Sequence, residues 1–422
     1  MPRGTGRPRA HKSIFDPVHG PIRLDGAALA LVQTPEFQRL WGIRQTGFAH
    51  LVFPGANHTR LEHSLGTFWV AGQMANRLGL GPDDALRVTV GALLHDLGHG
   101  PFSHTLDSPM VEVLGGGHES LSRARIEGTD PDWPADQVEV PRVLEGYGIS
   151  PRAVADLVDP QRSLREPPLF RQILHGAIDA DRIDYLQRDA YYTGVGHGAI
   201  DAVRLLDTVR AARGRLVFAE KGRSAVEGFL VGRALMYSSV YYHKTVRAAE
   251  MMAQAAVERM PGYPDAAREL FRSTDGGLLF RLRQLGGLSA ALVEGLLARQ
   301  LYKRAFGTRT VRGSARAAWA RRLKHPGERR ALENEIAGSV RAPPGSVLVD
   351  LAALEPRESP ADDWGDVGLL VGDRTTFPFR GPSPWRSLAT RPPADWAVTV
   401  FAAPRWAAAV GKQLSRGRAL PG

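Results

Sequence analysis

PDDALRVTVGALLHDLGHGPFSH, residues 82–104, is the stretch on which the reading of this chain turns. Leu86, Val90, Leu93 and Leu94 recur at helical spacing, which predicts an apolar stripe on a helix running from Pro82 to Gly98. Gly98 and Gly100 end it. On its last turn stand His95 and Asp96, side by side. A buried carboxylate beside a buried imidazole costs free energy unless a partner charge or hydrogen bonds offset it. An isolated His-Asp pair would satisfy itself locally, as a cap at a helix end. Its surroundings argue otherwise. His63 lies one helix upstream in RLEHSLG, where Leu65–Leu78 reads as helix, and Asp181 lies on a later helix in IDADRIDYLQRD, residues 178–189. Two imidazoles and two carboxylates from three helices make a mixed nitrogen and oxygen site for a cation. A site of that kind acidifies water and offers a Lewis acid to a phosphoryl oxygen.

Composition narrows the metal. The 422 residues include no cysteine, which excludes disulfides, thiolate-bound zinc and a cysteine nucleophile. One divalent ion held by imidazole and carboxylate points to Mn, Fe, Mg, Ni or Zn. The formal charge is +10, and of 54 basic residues only 6 are lysine. Arginine suits two-pronged binding of phosphate, although a GC-rich genome produces the same bias. Hydrophobic residues make up 43% and charged residues 23%, ordinary values for a globular chain. No apolar run approaches the ~20 residues that span a bilayer. MPRGTGRPRAHK at the N-terminus is basic but lacks the apolar segment of a secretory signal. The expectation is a cytoplasmic protein with no membrane partner.

The predicted fold class is mainly α. Residues 1–14 read as a flexible basic arm, residues 15–335 as a helical core with a helical extension, and residues 336–422 as a small α+β region. Helices are expected around Ala28–Trp41, over Phe170–Tyr192 and over Ala225–Arg259, then again from Pro264 to about Glu335. The β-rich runs are SVLVDLAAL, VGLLVG and DWAVTVFAAP, all after Val340.

The ordered set Arg60-x-x-His63, HDLGHGPFSH at 95–104, His118-Glu119 and D-x-D-R-x-D-Y at 179–185 resembles the HD-domain deoxynucleoside triphosphate triphosphohydrolases. That family includes the bacterial dGTPase-like enzymes and the eukaryotic enzyme that joins a sterile-alpha-motif domain to an HD domain. The likeness runs from about Phe15 to Glu250, with a looser match at YKRAF, residues 302–306. It implies an HD-domain helical core and assigns the metal to His63, His95, Asp96 and Asp181, the four already chosen. It places His99, His104 and His118 around the same site. His104 corresponds to a general acid for the departing 5′-oxygen, oriented by Asp107, and His118 with Glu119 to a second catalytic histidine and its carboxylate. Protonating an alkoxide leaving group is work a histidine can do at neutral pH.

The resemblance also assigns substrate contacts. Arg60 corresponds to a phosphate-binding arginine, and Arg182 stands where many relatives carry lysine, which keeps the charge and changes the geometry. Arg233, Tyr237 and Tyr241 fall at i, i+4 and i+8, on one helix face, where relatives contact phosphate and sugar. Tyr185 and Asp189 correspond to residues around the phosphate and the 3′-hydroxyl, and Gln45 to one that reads the same sugar edge. Thr46 departs from the eukaryotic branch, which carries a bulky aliphatic residue there against the ribose 2′ position. A smaller polar side chain leaves room for a 2′-substituent. His11, His19, His50, His175, His197, His243 and His325 have no ligand partner at useful spacing, and His58 reads as a loop residue near the site.

The function expected is cleavage of (deoxy)nucleoside triphosphates at the α-phosphate, giving nucleoside and triphosphate. The alternatives are an HD-type phosphatase or pyrophosphohydrolase for another nucleotide, and, less favoured, a nucleic-acid binder or nuclease. Family relatives are commonly oligomers, so the resemblance implies a homo-oligomer, dimer or tetramer.

Overall fold

Helices dominate the computed structural model, which describes residues 11–308, 323, 325–351, 362–380 and 398–416. The chain opens with a hairpin of two antiparallel strands, His11–Asp16 and Gly20–Asp25. Residues 11–14, expected in a flexible arm, are therefore strand, and residues 1–10 lie outside the described residues. The helix expected around Ala28–Trp41 is broken into Gly26–Val32 and Pro35–Gln38 with a tight turn after it. The cause is local: Pro35 disfavours helical backbone at Thr34, and Thr34, extended at ψ 147°, becomes the cap of the second helix.

Three helices frame the site. Arg60–Arg77 begins five residues earlier than expected because Thr59 and Glu62 form a reciprocal capping box. Pro82–Leu94 packs along it. Its buried face is Val88, Val90, Leu93 and Leu94, whereas Leu86 is exposed, because the first turn of this helix projects beyond the core. The third is Ala180–Thr193. It was expected to be continuous with Pro168–His175, but Gly176 interrupts the two and Asp179 caps the new start by accepting from Arg182 N at 2.8 Å. The long helix expected over Ala225–Arg259 is likewise two, Arg223–Met236 and Lys244–Glu258, joined through a wide π-type turn at Tyr237–Tyr241.

The β-rich runs of the C-terminal region divide between two sheets, each completed by an earlier segment. Val209–Ala212 and Arg215–Ala219 form a hairpin that Gly368–Val371 extends in parallel, followed by Arg374–Thr376. Val398–Ala402 sits between Val347–Asp350 and Lys303–Thr308. Lys303–Thr308 is thus a strand within an extension expected to be helical. Its partner lies some ninety residues later, so local pattern could not reveal the pairing. Residues 352–354 and 395–397 of the expected β runs lie outside the described residues.

Leu348 and Phe401 of the second sheet join Ala249, Met252 and Ala256 of Lys244–Glu258 in one apolar cluster. Burying a side chain of Leu or Phe size stabilises by about 1.5–3 kcal/mol, so the sheet props the helix whose Val246 and Glu250 line the cavity described below. No helix among the described residues is long and apolar enough to cross a membrane.

Candidate active site

The end of Pro82–Leu94 sets the first two donors. His95 Nδ1 lies 2.8 Å from the carbonyl of Ala92, which fixes its proton there and frees Nε2. That buried Nε2 has no hydrogen-bond partner among the described residues and stands 3.2 Å from Asp96 Oδ1. Asp96 accepts from Arg60 Nη1 through Oδ2, and the same oxygen is 3.5 Å from His63 Nε2. Asp181 Oδ1 closes the group at 2.9 Å from His63 Nε2 and 3.8 Å from His95 Nε2. Burial opposes a charge on His63, but hydrogen bonds to Asp181 and Asp184 outweigh it and push its pKa up to about 10. A cation in that cleft would replace the proton.

The back of His63 is equally ordered. Its Nδ1 meets Asp184 Oδ2 at 2.7 Å, so its Nε2 is the atom left for a metal. Asp184 Oδ1 takes His19 Nε2 at 2.6 Å, and Arg188 donates to both oxygens at 2.9 Å. His19 comes from the turn of the N-terminal hairpin and stacks on Trp69 with ring centroids 4.6 Å apart. The donor chemistry therefore fits a divalent ion: two imidazole nitrogens with fixed tautomers, two carboxylates, and an unpartnered buried nitrogen among them.

Beyond Asp96 the chain makes a second cluster. Gly98 carries no side chain because a β-carbon there would lie 2.2 Å from His118 O and Ser122 N. That close approach seats the start of helix His118–Glu127 against the His-Asp turn. Next come Phe102 and Ser103, at φ 57° and 54°. Such left-handed backbone costs on the order of 1–3 kcal/mol per residue and persists only where surroundings hold it. His104 follows. Its Nδ1 is 2.8 Å from Asp107 Oδ2, while His118 Nδ1 lies 3.5 Å from the other oxygen. His99 is buried, stacked on His118 at 3.8 Å and edge-on to His104.

One carboxylate thus serves two imidazoles with opposite results. Burial lowers the pKa of His104 despite Asp107, whereas for His118 the attraction of Asp107 and Glu119 overcomes burial and raises it. Burial, with Arg60 and His118 nearby, holds His99 well below its ordinary value, so it is neutral.

These residues line one cavity of about 480 Å³. All the expected site residues face it except His63, which is fully buried behind Asp96 and Asp181. Opposite the histidines, Arg233 Nε reaches the Tyr185 hydroxyl at 3.3 Å and its guanidinium lies 5.6 Å from the centre of the Tyr237 ring. Arg182 donates to the carbonyl of Gly176. Asp189 accepts from Tyr241 at 2.6 Å and meets His58 Nε2 at 2.7 Å. Gln45 Oε1 and Thr46 Oγ1 are buried at the cavity wall without hydrogen-bond partners among the described residues. Two histidines that sequence spacing left without a role belong here, His19 against Asp184 and His175 on the cavity wall, and His58, expected near the site, meets Asp189. For Asp184 the signal was present, three residues after Asp181 within the same motif. For His19 there was none, since 165 residues separate it from its partner.

Residues 60–189 match the HD domain, and residues 200–416, just over half the chain, match the HD associated region. The chain belongs to the HD-domain family. HD domains bind divalent metals, and His63, His95 and Asp96 converge here closely enough to hold one. An uncharacterized protein of Methanocaldococcus jannaschii is 39% identical over 250 residues, covering 58% of this chain and 49% of that protein. Deoxynucleoside triphosphate triphosphohydrolase SAMHD1 of Homo sapiens is 33% identical over 218 residues, 44% of this chain and 34% of its own length. The chain spans about half the length of the curated relatives it matches first. A hypothetical protein from Aquifex aeolicus, solved by crystallography, superposes with a TM-score of 0.71 at 25% identity, covering 96% of this HD-domain chain and all of the other.

Proposed function

We propose that the chain hydrolyses (deoxy)nucleoside triphosphates at the α-phosphate and releases nucleoside and intact inorganic triphosphate. The observation that carries this reading is the order of groups within one cavity. His95, Asp96 and Asp181 stand on one wall with His63 buried behind them, the Asp107-linked histidine pair stands beside them, and arginines and tyrosines face both. The activity in the name of the human relative supports the same reading.

His63, His95, Asp96 and Asp181 would hold one divalent ion. Bound there, it supplies Lewis acidity toward a phosphoryl oxygen and toward the attacking water. Arg60, Arg182 and Arg233 bind and orient the polyphosphate, and Tyr185, Tyr237 and Tyr241 flank it. Fixed cations aimed at developing charge supply most of the acceleration in phosphoryl transfer. As water adds to phosphorus and gives up a proton to solvent, the bond to the 5′-oxygen breaks, that oxygen takes a proton from His104, and solvent returns one to His104 for the next turnover. Asp107 stabilises the imidazolium before transfer. In the free site His104 is neutral at pH 7, so the negative charge of the bound polyphosphate does part of the work by drawing a proton onto it. Gln45, Thr46 and Asp189 line the sugar side. The buried Thr46 hydroxyl, with no partner among the described residues, favours acceptance of a ribose 2′-hydroxyl.

The test is product analysis across the common NTPs and dNTPs, with Mn and Mg compared. Intact triphosphate plus nucleoside is the expected result. Orthophosphate or pyrophosphate as the first product would instead identify a phosphatase or pyrophosphohydrolase and overturn the proposal.

A further inference from the structure

Two consecutive residues with side chains, Phe102 and Ser103, hold left-handed backbone immediately before His104. Something outside the turn must keep them there. The main-chain N–H of Phe102 donates to Asp275 Oδ1 at 2.6 Å. The other oxygen of the same carboxylate accepts the main-chain N–H of Arg44 at 3.1 Å and lies 3.5 Å from its guanidinium. Ser103 Oγ completes the link, donating to the Arg44 carbonyl at 2.7 Å and accepting from Arg60 Nε at 2.8 Å.

Asp275 is 3% exposed and does not line the cavity. It begins the helix Asp275–Gln284, whose cap, Thr274, accepts from Gly277 N. The helix start is pressed against the chain before Arg44. A β-carbon on Gly42 would lie 2.4 Å from Thr274 Cγ2, so only glycine permits the approach. Phe102 is gripped from its other side by Phe48, with ring centroids 4.1 Å apart. One carboxylate therefore ties together the turn that carries His104 and the loop that carries Gln45 and Thr46. It comes from residues matching the HD associated region, outside the stretch matching the HD domain.

We propose that Asp275 is a positioning residue: by holding the Phe102–Ser103 turn it aims His104 at the leaving oxygen, so the associated region completes the proton-donor side of the site. The inference rests on the reading of His104 as the proton donor. It explains why a buried carboxylate with no access to substrate spends both oxygens on main-chain donors of two loops.

The experiment compares the full-length wild type, Asp275→Ala and Asp275→Asn on two substrates. One is a nucleoside triphosphate, whose alkoxide leaving group needs a proton. The other is bis(p-nitrophenyl) phosphate, whose phenolate does not. Asp275→Ala is expected to lose kcat on the triphosphate on the order of 10²-fold, the loss typical of a misplaced catalytic group, with little change in KM. Hydrolysis of the aryl ester should stay within about threefold of wild type, since proton transfer there contributes little. Asp275→Asn, nearly identical in shape, should fall between and keeps the test informative if the alanine variant does not fold. Equal losses on both substrates, or an unchanged triphosphate rate in folded Asp275→Asn and Asp275→Ala, would overturn the positioning role. His104→Ala in parallel separates the two levels. A leaving-group-selective loss in His104→Ala without one in either Asp275 variant overturns the positioning role alone. Equal loss on both esters in His104→Ala overturns the proton-donor reading and the inference with it.

Discussion

Gly66→Ala perturbs the site from behind without removing a polar atom. Its β-carbon would sit 1.9 Å from Asp184 Oδ1, 2.4 Å from Arg188 Nη2 and 2.6 Å from Asp184 Cγ. Non-bonded carbon contacts settle near ~3.5 Å, so the carboxylate must retreat by roughly 1.5 Å. Asp184 now meets His19 at 2.6 Å and His63 Nδ1 at 2.7 Å. A retreat of that size carries both contacts past hydrogen-bond range. Overpacking of a tight core costs about 1–3 kcal/mol, and each lost hydrogen bond to a charged group adds about 1.5–3 kcal/mol. Allowing for partial relaxation, the metal-free variant should be destabilised by about 4 kcal/mol. His63 would also lose the partner that orients it, which typically weakens a metal site by roughly 10–100-fold. Thermal unfolding of the metal-free protein and calorimetric titration with Mn²⁺ read the two effects separately. A variant that melts within about 2 °C of wild type and binds metal as tightly would show that Asp184 does not brace His63.

Other outcomes follow from the same geometry. His19→Ala should leave the fold intact and weaken metal binding by about 10-fold, measured by the same titration, whereas unchanged affinity would make the hairpin contact purely structural. Because His104 must be protonated to act and its pKa is lowered in the free site, kcat/KM should fall as pH rises through a value below the usual ~6.5. With polyphosphate bound the pKa rises, so kcat should fall at higher pH than kcat/KM; limbs at the same pH would contradict the charge argument. Tyr241→Phe removes the 2.6 Å hydrogen bond to Asp189 and should raise KM several-fold while kcat changes less, as expected for lost substrate-side ordering of about 1 kcal/mol. Asp350→Ala strips Arg247 of a buried partner at 2.7 Å and should lower stability by about 3 kcal/mol in denaturant unfolding, because it cuts the tie between the C-terminal sheet and the helix Lys244–Glu258.

The helices and the meeting of His63, His95, Asp96 and Asp181 were legible because their signals are local or are carried by a resemblance dense in chemistry-bearing residues. His95 and Asp96 are neighbours in the chain, and His63 and Asp181 sit in motifs of their own. Helix breaks were harder, since Gly176 and the Tyr237–Tyr241 turn interrupt segments whose apolar period continues across them. Thr34-Pro35 and the Thr59–Glu62 box were readable signals that periodicity alone passed over. The supporting groups were not legible. His19, Asp275 and the strand Lys303–Thr308 find their partners across 165, 173 and about 95 residues, and only packing of the whole chain brings such pairs together. Their roles emerge from tertiary structure, which is why histidines with no ligand spacing in the sequence proved to be braces.

The position of a bound metal is the most direct test. Crystals grown with Mn²⁺ and measured for its anomalous scattering should show one strong peak at the end of Pro82–Leu94. It should lie within ~2.0–2.3 Å of His63 Nε2, His95 Nε2, Asp96 and Asp181. A peak held by other side chains, or an unchanged peak in His95→Ala, would contradict the assignment of these four residues.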